Sequence, residues 1–185
     1  MKLLRAGLCA LLCAWLAHAQ AESPTLAELR ADWRPSQAWL LDRHGEVLQA
    51  TRVDFNGLRL PWVPLGQVSP AFVDALLAVE DRRFFEHGGV DWRALLAAAW
   101  QNATGGGRRG ASTLSMQLAS LLDDDGASRG TRRSLARKWA QMRAAWALEA
   151  RLDKREILEA YVNRVGFRGE LRGIAAASQG LFGKA

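Results

Sequence analysis

From Ser69 onward the apolar residues of this chain recur at helical spacing in successive blocks, and that periodicity restricts the fold to a mainly α architecture. Ser69-Pro70 opens the first block, with serine as N-cap and proline at the first helical position. Phe72, Val73, Leu76, Leu77 and Val79 follow, and the block runs into Glu80-Asp81. A second helix is expected over Asp91–Asn102, closed by Gly105-Gly106-Gly107. A third begins near Ser112 and ends at Asp123-Asp124-Asp125-Gly126. The fourth covers Thr131–Arg151, with Leu135, Trp139, Met142 and Trp146 as its buried stripe. A fifth starts at Asp153, where Glu156 completes a capping box; its apolar face is Ile157, Leu158, Tyr161 and Val162.

Before Ser69 the pattern differs. Trp39–Leu41 and Glu46–Leu48 read as short strands around the turn Asp42-Arg43-His44-Gly45. Residues 20–37, with Pro24 and Pro35, read as a linker holding one short helix. There is no internal repeat and no sustained heptad. The expected architecture is mainly α with a small β element near its start.

A chain of 185 residues, 49% hydrophobic and 24% charged, can bury one ordinary core, which excludes wholesale disorder. Its net charge of +6 favours an anionic partner: nucleic acid, a phospholipid surface or a phosphorylated substrate. A well-solvated basic surface accounts for the same charge, so composition does not choose a function.

The first twenty residues address the compartment. Lys2 and Arg5 precede an apolar stretch, Ala6–Ala17, shorter than the ~20 residues that span a bilayer. Ala17-His18-Ala19 then offers small residues at the two positions a signal peptidase reads. Residues 1–19 are expected to be a secretory signal peptide or an uncleaved anchor, and the remainder to be exported. Cys9 and Cys13, the chain's two cysteines, lie in this segment. Cleavage after Ala19 leaves no cysteine for a disulfide or a metal.

Three segments can carry chemistry. In Glu80–Gly89 a carboxylate ends an apolar helix and aromatics follow, so partial desolvation can make Glu80 a base; an exposed helix end is the plainer reading. His87 alone reads as a hydrogen-bonded structural residue, and histidines at 18, 44 and 87 cannot build a His-rich metal site. Gly110–Gln117 is a hydroxylated turn into a helix, able to cradle phosphate oxygens or simply to cap. No Gly-Lys-Ser/Thr follows its glycines, so it is not a Walker loop. Arg133, Arg137 and Gln141 share one helical face, and the two arginines with Lys138 suit a pyrophosphate, or a solvated basic face.

Together the order Glu-Asp-x-x-Phe-x-x-His-x-Gly, Gly-Ser-Thr-Gln, Arg-Lys-x-x-Glu/Gln, Ile-Leu-Glu-x-Tyr-x-Asn, Arg-Gly and Phe-Gly-Lys resembles glycosyltransferase family 51. That is the peptidoglycan glycosyltransferase domain of bifunctional penicillin-binding proteins. The motifs fall at Glu80–Gly89, Gly110–Gln117, Arg137–Gln141, Ile157–Asn163 and Arg172–Lys184, and the likeness covers residues 38–185. Met116 and Gln141 resemble the 1C branch.

The resemblance implies a membrane-associated, lysozyme-like, mainly helical lobe with a smaller jaw lobe, acting on the periplasmic side of the bacterial inner membrane. Such enzymes polymerise lipid II. The acceptor 4-hydroxyl attacks the donor anomeric carbon, a β-1,4 link forms with inversion, and undecaprenyl pyrophosphate leaves. Carried over by position, Glu80 is the base and Arg133 faces the donor pyrophosphate. Arg137 and Lys138 are the Arg-Lys pair, and Asp81, Ser112, Thr113 and Gln117 line the substrate. Glu159, Tyr161 and Asn163 read as scaffold.

Two departures stand out. Most members carry a second glutamate where this chain has Gln141, which keeps hydrogen bonding but cannot serve as a base or draw a metal. Members also tend to carry a basic residue where this chain has Ser120, removing a pyrophosphate contact. No cofactor is expected, and dependence on a divalent cation is left open. Expected partners are lipid II, the growing glycan strand, a membrane surface and cell-wall synthesis proteins, and not nucleic acid. The family fold continues past the position of Ala185, so a C-terminally shortened domain without a transpeptidase is expected. A non-catalytic remnant is the alternative. A lysozyme-like hydrolase would leave the pyrophosphate-facing arginines without a purpose.

Overall fold

Helix α6, Lys154–Arg164, is the centre of the molecule: every residue from Ile157 to Arg164 is buried. The computed structural model describes residues 23–105, 110–123 and 135–184. The signal or anchor segment, Arg133 and the expected start of the fourth helix lie outside the described residues.

The elements before α6 are α1 (Leu26–Asp32), β1 (Gln37–Leu41), β2 (Val47–Arg52), β3 (Leu58–Arg59), α2 (Pro70–Glu80), α3 (Trp92–Ala103), α4 (Leu114–Asp123) and α5 (Leu135–Glu149). After it come β4 (Leu171–Arg172) and α7 (Gly173–Phe182). The fold is mainly helical with little sheet, as the periodicity requires. Asp91 caps α3 by accepting from Ala94 N, and Asp153 with Glu156 forms the capping box of α6. Ser69 makes no side-chain cap; Pro70 at the first position starts α2 by its fixed φ.

α6 packs against α1, α4, α5 and α7. Leu114, Leu118, Leu148, Ile157 and Val162 form the dry centre, each 3% exposed or less. A helix buried all round must satisfy its polar side chains internally. Glu159 accepts from Arg30 Nη2 at 2.5 Å, Trp62 Nε1 at 2.8 Å and Leu65 N at 2.9 Å. Asn163 accepts from Val63 N and donates to Val63 O, both at 2.8 Å. These bonds fasten α1 and the 60–65 segment to the core. The stretch expected to be a linker therefore holds a packed helix, whose Leu29 is buried.

The stripe expected on α5 is corrected at Trp139, which is 52% exposed. Met142, Ala145 and Leu148 are the buried residues, and at helical pitch their common direction lies about 120° from Trp139. Trp139 meets half-buried Trp146 edge-on at 5.8 Å. The side chain of Leu135 lies outside the described residues.

β1 and β2 form the expected hairpin, longer than the apolar runs suggested, with a register shift at Leu40/Leu41. β3 and β4 pair in parallel, Leu58 with Leu171 and Arg59 with Arg172. Gly173 follows at φ +80°, and a Cβ there would sit 2.4 Å from Asn163 O. Only glycine allows α7 to leave β4 so close to α6.

Candidate active site

Helix α2 stops at Glu80 because Asp81 leaves helical geometry, at φ −158° and ψ 73°. Beyond it lies a cavity of about 800 Å³, with Glu80, Arg82, Arg93, Ser112 and Gln117 among its walls. Glu80 is exposed, so the desolvated carboxylate is not what forms. Phe84 turns into the core beneath the Lys154 ammonium, which lies 4.4 Å from its ring centre, and Phe85 points to solvent. Glu80 is instead positioned by a hydrogen bond. Gln117 Nε2 donates to its Oε2 at 2.9 Å.

Behind Gln117 stands Tyr161 of α6, 3% exposed, whose hydroxyl donates to Gln117 Oε1 at 2.9 Å. Burial, reinforced by the charge of Glu80, pushes the Tyr161 phenol up to about 12, so it remains a proton donor at neutral pH.

Asp81 and Thr113, expected to line the substrate, both border the cavity, and their side chains also bond to the frame around it. His87 Nε2 lies 3.0 Å and 3.1 Å from the two Asp81 oxygens, and Leu114 N donates to Oδ2 at 3.0 Å. The Asp81 carboxylate thus sits at the N-terminus of α4, where the helix dipole favours negative charge. Thr113 donates to Gly89 O at 2.5 Å and accepts from Met116 N at 3.2 Å, the bond pattern of an N-cap. His87 is the hydrogen-bonded structural residue expected.

Ser112 faces outward at the start of α4, and Lys138 Nζ from α5 donates to its Oγ at 2.8 Å. Arg137 is half-buried beside it on α5. Gln141 sits away from the cavity wall: its Nε2 donates to Ser120 Oγ at 2.7 Å, and Ser120 donates to Met116 O at 3.1 Å.

Sequence reasoning missed the cavity's own arginines. Arg82 and Arg93 line it, and Arg83 pairs with Asp91 at 2.6 Å and 2.7 Å. Burial raises the Asp91 carboxyl, but the Ala94 N–H and Arg83 outweigh it and hold the group below the usual carboxylate range. Arg82 and Arg83 lie within the first motif; Arg93 reaches the site only because α3 starts beside the end of α2. Among the described residues, no three His, Cys, Asp or Glu side chains gather as a metal-ligand set.

A positioned carboxylate beside a cationic wall and a hydroxylated helix start combines a base with an anion cradle. The comparison that decides the family is a match of residues 44–185 to the family described as Transglycosylase. The chain belongs to the transglycosylase family.

Individual relatives agree. This transglycosylase chain is 39% identical over 177 residues to penicillin-binding protein 1C of Escherichia coli (strain K12), covering 89% of the chain and 22% of that protein. It is 41% identical over 144 residues to a biosynthetic peptidoglycan transglycosylase of Rhodospirillum centenum, covering 76% and 59%. A protein of the same description from Pasteurella multocida is 39% identical over 123 residues, covering 66% and 48%. The chain thus spans less than two thirds of the length of each of these relatives.

Proposed function

We propose that this chain is a peptidoglycan glycosyltransferase that joins lipid II disaccharides into β-1,4-linked glycan strands. The observation that carries the reading is the Glu80 carboxylate, held by Gln117 at the mouth of a cavity walled by Arg82, Arg93 and Ser112. Glu80 takes the proton from the acceptor 4-hydroxyl as that oxygen bonds to the donor anomeric carbon. The bond from that carbon to the pyrophosphate oxygen breaks, with inversion. Cationic side chains of the cavity wall stabilise the departing charge. Lys138, brought to the cavity rim through Ser112, is assigned to that task together with Arg133 and Arg137 of its motif.

The same reading assigns a membrane-facing surface. Trp92, Leu96 and Trp100 share one face of α3 and are 49%, 69% and 73% exposed. Indole rings favour the headgroup level, and a lipid-linked substrate is met there. No helix among the described residues is long and apolar enough to cross a membrane. Residues 1–19 are assigned to export of the chain, which would act at the periplasmic side of the inner membrane.

The test is product analysis. Purified chain and fluorescent lipid II in detergent are expected to yield polymer that a muramidase cuts, with release of undecaprenyl pyrophosphate. A folded chain that binds lipid II without polymerising it would contradict the reading and favour a non-catalytic remnant.

A further inference from the structure

We propose that Tyr161 is a positioning residue for the Glu80 carboxylate, acting through the side-chain amide of Gln117. The inference rests on the reading of Glu80 as the base. Its footing is a three-member chain: Tyr161 Oη to Gln117 Oε1 at 2.9 Å, then Gln117 Nε2 to Glu80 Oε2 at 2.9 Å.

The polarity of that chain is determined at both ends. An ionised carboxylate only accepts hydrogen bonds, so Gln117 must turn its NH₂ toward Glu80 and its oxygen away. The oxygen then requires a donor, and the buried phenol of Tyr161 supplies one. Without that donor the amide is held at one end only, by Glu80 itself, and its oxygen is left without a protein partner. Gln117 is half-buried and Glu80 exposed, so neither has dense packing to hold it. Tyr161 has. Two residues before it Glu159 is tied to Arg30, Trp62 and Leu65, and two residues after it Asn163 is tied to Val63. The rigid centre of the molecule thereby sets the direction of a side chain on its surface.

The experiment uses the purified 185-residue chain and lipid II. Tyr161→Phe is expected to lower kcat about tenfold with KM unchanged, the scale of one lost hydrogen bond to a working group. In a Gln117→Leu background the same substitution is expected to change kcat less than about twofold, because no amide is left to orient. Equal losses in both backgrounds would overturn the proposal. A second readout does not need turnover. In ¹⁵N-labelled chain the two Gln117 side-chain amide protons are expected to be widely separated in shift, and to collapse toward solvent-exposed glutamine values in Tyr161→Phe. Unchanged shifts overturn the proposal. Collapsed shifts in a chain that makes no polymer would uphold the Tyr161–Gln117 coupling while removing the assignment of Glu80 as base.

Discussion

Gln141 of α5 donates its amide to Ser120 of α4 at 2.7 Å, joining the two positions read from the sequence as departures from the family pattern that this chain resembles. The two positions are therefore in direct contact. A neutral amide–hydroxyl bond connects two packed helices where a carboxylate and a cation would be complementary. Ser120 uses its hydroxyl twice, accepting from Gln141 and donating to Met116 O.

Gln141→Glu alone removes the donor that Ser120 accepts from, so Ser120 must choose between the new carboxylate and Met116 O. The expected cost is about 1 kcal/mol of stability. Adding Ser120→Lys is expected to recover most of it by creating a charge pair with the new carboxylate. Unfolding midpoints of the parent, the two single variants and the double variant check this. Additive losses in the double variant would show that the positions are not coupled.

Asp81 holds together three parts of the frame: the end of α2, His87 and the first N–H of α4. Asp81→Ala leaves the His87 ring and Leu114 N without that partner, and is expected to destabilise by about 2–3 kcal/mol. Because Gln117 rides on α4, glycan synthesis is expected to fall as well. Denaturant titration paired with the lipid II assay measures both. An unchanged unfolding free energy would mean that Asp81 does not cap α4.

Glu159 gives a dependence on acid. Burial raises its carboxyl, but bonds from Leu65 N, Trp62 and Arg30 outweigh burial and hold it below the ordinary 4.5. A depressed folded value stabilises the native state above the unfolded value, and that contribution fades as pH falls through the folded one. Stability is therefore expected to drop on acidification below about pH 4.5. Glu159→Gln is expected to be less stable at neutral pH and to show a shallower acid slope. Parallel acid slopes for the two proteins would assign the acid loss to other groups.

Much of this frame is written locally in the sequence. Asp91 and the pair Asp153/Glu156 act within one turn of their own helix, and α3 and α6 begin where those residues stand. Pro70 does the same for α2. What escaped local reading depends on distant partners. Residues 58–59 meet 171–172 in parallel, and Gly173 matters because of Asn163. Trp139 has helical spacing to Met142 yet points outward, since periodicity gives a face and not its centre.

Of the residues singled out by motif order, the structure brings Glu80, Ser112 and Gln117 to one cavity and Lys138 to Ser112. Motif order did not show that Asp81 and Thr113, which border the cavity, also bond to the first turn of α4, because those partners are fixed only by the fold. Tyr161, read from sequence as scaffold, reaches Gln117 from a helix 44 positions away.

In the proposed reaction Glu80 removes the acceptor proton. The direct measurement is the initial rate of lipid II polymerisation by the parent and by Glu80→Gln, with folding of the variant checked by circular dichroism. Glutamine preserves the shape and can still bond to Gln117, but cannot take the proton. A folded variant is expected whose rate falls by at least ~100-fold, as loss of a general base requires. A variant that polymerises at the parental rate would contradict that role for Glu80.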